Sequence, residues 1–142
     1  MNGYEKALVV LLRISAVVML TAVVPALMPF AWMAAIHRQL GMGELPEGPI
    51  IGYLTRSLSA MYALHGALVL FVSLDVRRWL PVVKCLAALG IAFGVGMIAL
   101  DLAVEMPLFW VLCEGPFVIG LGSVLFWLAS RVEGRPTEGQ IV

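Results

Sequence analysis

The stretch Pro107–Ser130, PLFWVLCEGPFVIGLGSVLFWLAS, carries a single charged residue, Glu114, in an otherwise apolar run. At about 1.5 Å rise per residue it extends roughly 36 Å as a helix, enough to cross a hydrocarbon core of about 30 Å with modest tilt. A carboxylate in lipid is expensive and needs a partner or a water-filled pocket. Glu114 is therefore the strongest functional pointer in the chain. Only two other ionisable groups, Arg56 and His65, lie in the middle of comparable apolar stretches.

Working outward, the pattern repeats. Apolar segments cover about residues 7–36, 51–74 and 79–103, and the fourth covers 107–130. The whole chain of 142 residues is 62% hydrophobic and 13% charged, with mean hydropathy +1.02. Soluble domains are roughly 45–50% apolar and about 25% charged, so a soluble fold of this length cannot hide such a surface. The expected class is all-α: a four-helix transmembrane bundle forming one domain over 1–142, with an outer loop at 37–50 and a flexible tail at 132–142. The first segment is read as a membrane helix rather than a cleaved leader. Glu5 and Lys6 leave its start without net positive charge, and Pro25 and Pro29 interrupt a stretch too long for a leader.

Charge sets the expected orientation. Lys6, Arg13, Arg77, Arg78, Lys84, Arg131 and Arg135 fall at one set of ends, and only Arg38 and Arg56 at the other. The positive-inside rule then puts both termini in the cytoplasm. Tyr4, Trp79 and Trp127 would mark the inner interface, and Trp32, Tyr53 and Trp110 the outer one. The outer side gathers acids: Glu44 and Glu47 in its first loop, Asp101 and Glu105 at its second turn. Nine basic and nine acidic residues cancel, so no basic excess points to nucleic acid.

Small residues predict the packing. Lipid gives helices no hydrophobic reason to associate, so close backbone approach must do it. Gly90 and Gly94 are four apart, and Asp101 follows Gly94 by seven. Gly115, Gly122 and Ala129 repeat at seven. The third and fourth segments should form a tight antiparallel pair.

The polar side chains within the spans carry the candidate chemistry. Arg56 and Glu114 lie at similar depth and are expected to pair as the floor of an outer-leaflet pocket. The pair either fixes helix register or forms part of a ligand site; in the remaining reading Arg56 snorkels outward and never meets Glu114. His37, Glu44, Glu47, Asp101 and Glu105 would form its rim. His65 and Tyr62 sit deeper on the second segment and are candidates for ligand contact. No metal-ligand spacing is present, and one mid-span histidine does not make a haem site. Cys85 and Cys113 differ in depth by roughly 15 Å, too far for a disulfide, and are expected to be small buried residues. No catalytic constellation is visible, so no residue is assigned as catalytic.

Arg13, Arg56 with Tyr62 and Gly66, and the Asp75–Arg77–Arg78 turn give the chain a likeness over about residues 7–130. It resembles the small bacterial four-helix membrane proteins of the DoxX-like and BphX-like kind. The resemblance implies a bacterial inner-membrane protein, and some DoxX-like proteins are associated with membrane redox complexes and quinone chemistry. The leading expectation is an accessory or ligand-binding subunit without a resident cofactor. Its partners would be the bilayer, other membrane subunits or further copies of itself. The alternatives are a quinone-linked redox subunit using His65 and Tyr62, and a small proton-coupled transporter using Glu114.

Overall fold

The computed structural model describes residues 2–134. Every regular element among them is helical: α1 Gly3–Leu20, α2 Val23–Leu27, α3 Phe30–Gln39, α4 Pro49–Val72, a 3-10 turn Ser73–Asp75, α5 Leu80–Ala103, α6 Leu108–Cys113 and α7 Gly115–Glu133. Four runs are long and apolar enough to cross a membrane: Gly3–Leu27, Pro49–Asp75, Leu80–Ala103 and Leu108–Glu133. This is the fold of a multi-pass membrane protein. Its outward side chains agree, since Leu27, Leu108, Tyr53, Phe117 and Leu74 are all largely exposed.

The first apolar segment is not one helix to residue 36. It ends at Leu27, because Met28 precedes a proline and adopts extended backbone (φ −69°, ψ 154°). Pro29 then opens the separate helix α3, which carries His37 and Arg38. The fourth segment is also divided. Pro116 has no N–H to offer the Leu112 carbonyl, and the ladder breaks at Glu114 (φ −78°, ψ −71°) between α6 and α7. The fourth run continues to Glu133, three residues past the expected end. Most of the expected tail, residues 135–142, lies outside the described residues.

The chain divides into two compact units. The first comprises residues 2–12 and 71–134 and is organised by α5 against α7. The buried positions of α5 include Leu80, Ala87, Gly94 and Asp101, a seven-residue repeat. Those of α7 include Gly115, Gly122 and Ala129, the same repeat. Backbone meets backbone along this seam. A Cβ on Gly94 would lie 2.9 Å from Gly115 O, one on Gly115 would lie 2.8 Å from Gly94 O, and one on Gly122 would lie 2.8 Å from Ala87 O. Gly90 is not part of it, since a Cβ there meets nothing within 4 Å. The seam steps by seven residues, which keeps one face inward along a long helix pair, rather than by four.

At the other end of this unit, charged and aromatic groups interlock. Glu5 is buried, and its Oε2 accepts from Arg77 Nε at 3.1 Å and Nη2 at 3.0 Å. Its own N–H is capped by Asn2 Oδ1 at 2.8 Å, which starts α1. Lys84 pairs with Glu133 at 2.6 Å. Tyr4 packs edge-on against Trp127 with centroids 5.7 Å apart. The Arg78 and Arg131 guanidinium groups lie over Trp79 and Trp127 at 5.3 and 5.4 Å.

The second unit comprises residues 13–70. Its seam lies between α1 and α4 at Gly66, where a Cβ would lie 2.9 Å from Met19 Cβ and 3.0 Å from Ala16 O. Ala16 is fully buried there, and Ala63 and Val69 flank the crossing from α4. Small side chains again permit the backbones to touch.

Candidate functional site

The end of the first unit that holds the α5–α6 turn is assembled by helix termination. The last turn of α5 closes as a Schellman motif: Met106 N–H donates to Asp101 O at 2.9 Å, and Glu105 N–H to Leu102 O at 3.4 Å. Glu105 occupies the left-handed position of this motif (φ 57°), where glycine is the usual residue. The motif holds the backbone of Asp101 while its side chain turns into the protein. Asp101 is 3% exposed, and its Oδ2 has no hydrogen-bond partner among the described residues.

Register shows what lies opposite. Ala87 and Ile91 meet Gly122, Gly94 meets Gly115 and Ile119, and Ile98 meets Gly115. Continuing this antiparallel progression from Ile98 to Asp101 brings the opposite strand of contacts to α6, which packs against α5. On α6, Val111 is buried and Trp110 half-buried. The Trp110 indole Nε1–H donates to Glu114 Oε2 at 2.5 Å. Glu114 thus obtains its partner from within its own turn, four residues back. That partner was not identified in the sequence, although an i, i+4 indole–carboxylate pair was there to be read. Phe109 stacks edge-on to Trp110, with centroids 6.3 Å apart.

Of the residues singled out in the sequence, Asp101 at the end of α5 and Glu114 at the α6–α7 break both lie in the first unit. Glu105 lies in its turn with its side chain exposed, beyond the end of α5 rather than on a helix with Asp101. The others belong to the second unit. Arg56 is exposed, and its Nη2 donates to Met28 O at 3.3 Å, at the carbonyl that the Met28–Pro29 break leaves outside the helical ladder. His37 Nδ1 lies 3.1 Å from Gly43 O, and Arg38 pairs with Glu44 at 3.3 Å on the surface. Tyr62 is half-buried on α4, and His65 is exposed in the middle of that span. Cys85 and Cys113 are both exposed free thiols rather than buried ones. Among the described residues, no group of three or more His, Cys, Asp and Glu side chains comes together to hold a metal.

Comparison of the chain with protein-family models, with curated proteins and with solved structures finds no match.

The chain that builds this end of the unit carries charge of one sign. Residues 85–130 contain Asp101, Glu105 and Glu114 and no Lys, Arg or His. One carboxylate is satisfied by an indole, one is exposed, and one is buried with an oxygen unmatched. A buried acceptor without a donor costs about 1–3 kcal/mol, and more when it is charged. The arrangement is suited to receiving a hydrogen-bond donor or a positive charge.

Proposed function

We propose that the protein is a four-helix bundle of a bacterial inner membrane, with both termini in the cytoplasm. In this reading it acts as an accessory or ligand-binding subunit through the Asp101–Glu114 site near the non-cytoplasmic face. The observation that carries this reading is the unmatched Oδ2 of Asp101, buried beside a broken membrane helix. Irregular backbone at membrane depth is tolerated where it is buried in protein or lines a cavity, and buried ionisable groups there mark binding paths. The basic residues around Arg77, Lys84 and Arg131 support the orientation. The resemblance to DoxX-like proteins, carried by Arg13, Arg56, Tyr62, Gly66 and the Asp75–Arg78 turn, supports an accessory role in a larger membrane assembly.

Native mass spectrometry after mild detergent extraction tests this reading. A larger assembly or a bound molecule is expected, and Asp101→Asn should release it. A bare monomer for the unaltered protein contradicts the reading.

A second reading is favoured by His65. His65 is exposed halfway along a candidate membrane span, with Tyr62 one turn away on α4, and such an imidazole is accessible to a lipid-soluble molecule such as a quinone. In that case quinone co-purifies with the protein and is lost on His65→Ala. Lipid extracts without quinone contradict it.

A further inference from the structure

We infer that the Asp101 site binds a small monovalent cation. The inference rests on the reading of Asp101 and Glu114 as a ligand site and specifies what that ligand is. The decisive observation is a carboxylate oxygen that is buried and unpartnered among the described residues: Asp101 is 3% exposed, and the stretch 85–130 around it in sequence holds three acids and no Lys, Arg or His. The fold sets a broken helix opposite this carboxylate. Leu112 O is denied its helical donor because residue 116 is proline, and the α5–α7 register sets α6 opposite the Asp101 end of α5. Interrupted membrane helices present such carbonyls to ions.

Charge counting selects the class. Divalent ions take six to eight oxygens with several carboxylates among them. Here Glu114 is already engaged by Trp110, Glu105 is exposed, and no group of three acidic, imidazole or thiol ligands forms among the described residues. One buried carboxylate with neutral carbonyls matches a single positive charge. A proton would also neutralise Asp101, but its effect would follow pH and not the choice of salt.

The test uses the full chain purified in detergent. Thermal unfolding is followed in sodium, potassium, methylammonium and choline chlorides at equal ionic strength and fixed pH, with radiolabelled sodium binding measured in parallel. A small cation bound well above its Kd should raise Tm by about 5 °C over choline, which is too large for the site. Asp101→Asn should abolish the difference while folding normally. Glu114→Gln, which leaves Asp101 in place, should weaken but keep it. Equal Tm in all four salts together with no sodium binding overturns the inference, as does a cation effect that survives Asp101→Asn. Stability that depends on pH alone, with no preference among the salts, assigns the site to a proton and also overturns it. Loss of the native assembly in Asp101→Asn without any cation effect would remove the cation and leave the ligand-site reading standing. A cation effect in a bare monomer would do the reverse for the accessory role.

Discussion

Gly94 and Gly115 face each other across the α5–α7 seam so closely that a Cβ on either would come within 3 Å of the other's carbonyl oxygen. This contact sets the level at which the two helices cross, and hence which part of the fourth span lies beside Asp101. In lipid, where burial offers helices little reason to associate, backbone proximity of this kind carries the packing.

The seam predicts opposite outcomes for two glycines four residues apart. Gly94→Ala forces a methyl against Gly115 O and Ile119 and should cost about 1–3 kcal/mol. Gly90→Ala meets open space and should be neutral or stabilising by up to about 1 kcal/mol, because alanine is the better helix former. Thermal unfolding in detergent distinguishes them. Equal losses at both sites would place the seam elsewhere.

Glu105 supplies a second case. Its left-handed backbone is required by the Schellman turn after α5, and a side chain there costs roughly 1 kcal/mol relative to glycine. Glu105→Gly should therefore raise stability while leaving the proposed Asp101 site intact. A fall in stability would mean that the exposed carboxylate makes a contribution of its own.

The two ion pairs at the opposite end of the unit should differ. Glu5 is almost wholly enclosed, with side-chain exposure of 9%, whereas Glu133 in the Lys84 pair is 57% exposed. Arg77→Ala should cost about 2–3 kcal/mol by leaving the Glu5 carboxylate without its donors, somewhat below the full cost for a buried pair because Arg77 keeps contact with solvent. Glu133→Ala should cost less than about 1 kcal/mol. A double-mutant cycle on Glu5 and Arg77 that gives no coupling would contradict the assignment.

Trp110 is predicted to hold Glu114. Trp110→Phe preserves ring packing but removes the indole donor, and should cost about 1–3 kcal/mol. Adding Glu114→Gln should recover part of the loss, because a neutral amide is cheaper to leave unmatched than a carboxylate. If the two changes are additive, the hydrogen bond contributes nothing.

How much of this was legible in the chain varies with the range of the interaction. The four apolar runs and the Gly115, Gly122, Ala129 repeat are local patterns, and the structure has them. The placement of Asp101 on the Gly94 face follows from the same periodicity. Proline chemistry is also present in the sequence, but Pro29 reads there as an interruption of one segment rather than as the start of a separate helix, and Pro116 does not stand out as a break in the fourth. The Gly90–Gly94 step was misread because a four-residue spacing and a seven-residue spacing share Gly94, and only the partner helix decides between them. The Glu5–Arg77 pair joins residues 72 apart, and no periodicity encodes it. The left-handed Glu105 was hidden because nothing but backbone hydrogen bonding demands that conformation.

The central claim is that the Asp101 end of the α5–α6 hairpin opens at the non-cytoplasmic face. It is tested by impermeant maleimide labelling in intact cells, with Glu105→Cys as the only thiol after Cys85→Ala and Cys113→Ala. The account predicts that the α5–α6 turn is labelled before the cells are permeabilised, whereas a cysteine at Arg78 is labelled only afterwards. The reverse order would contradict it.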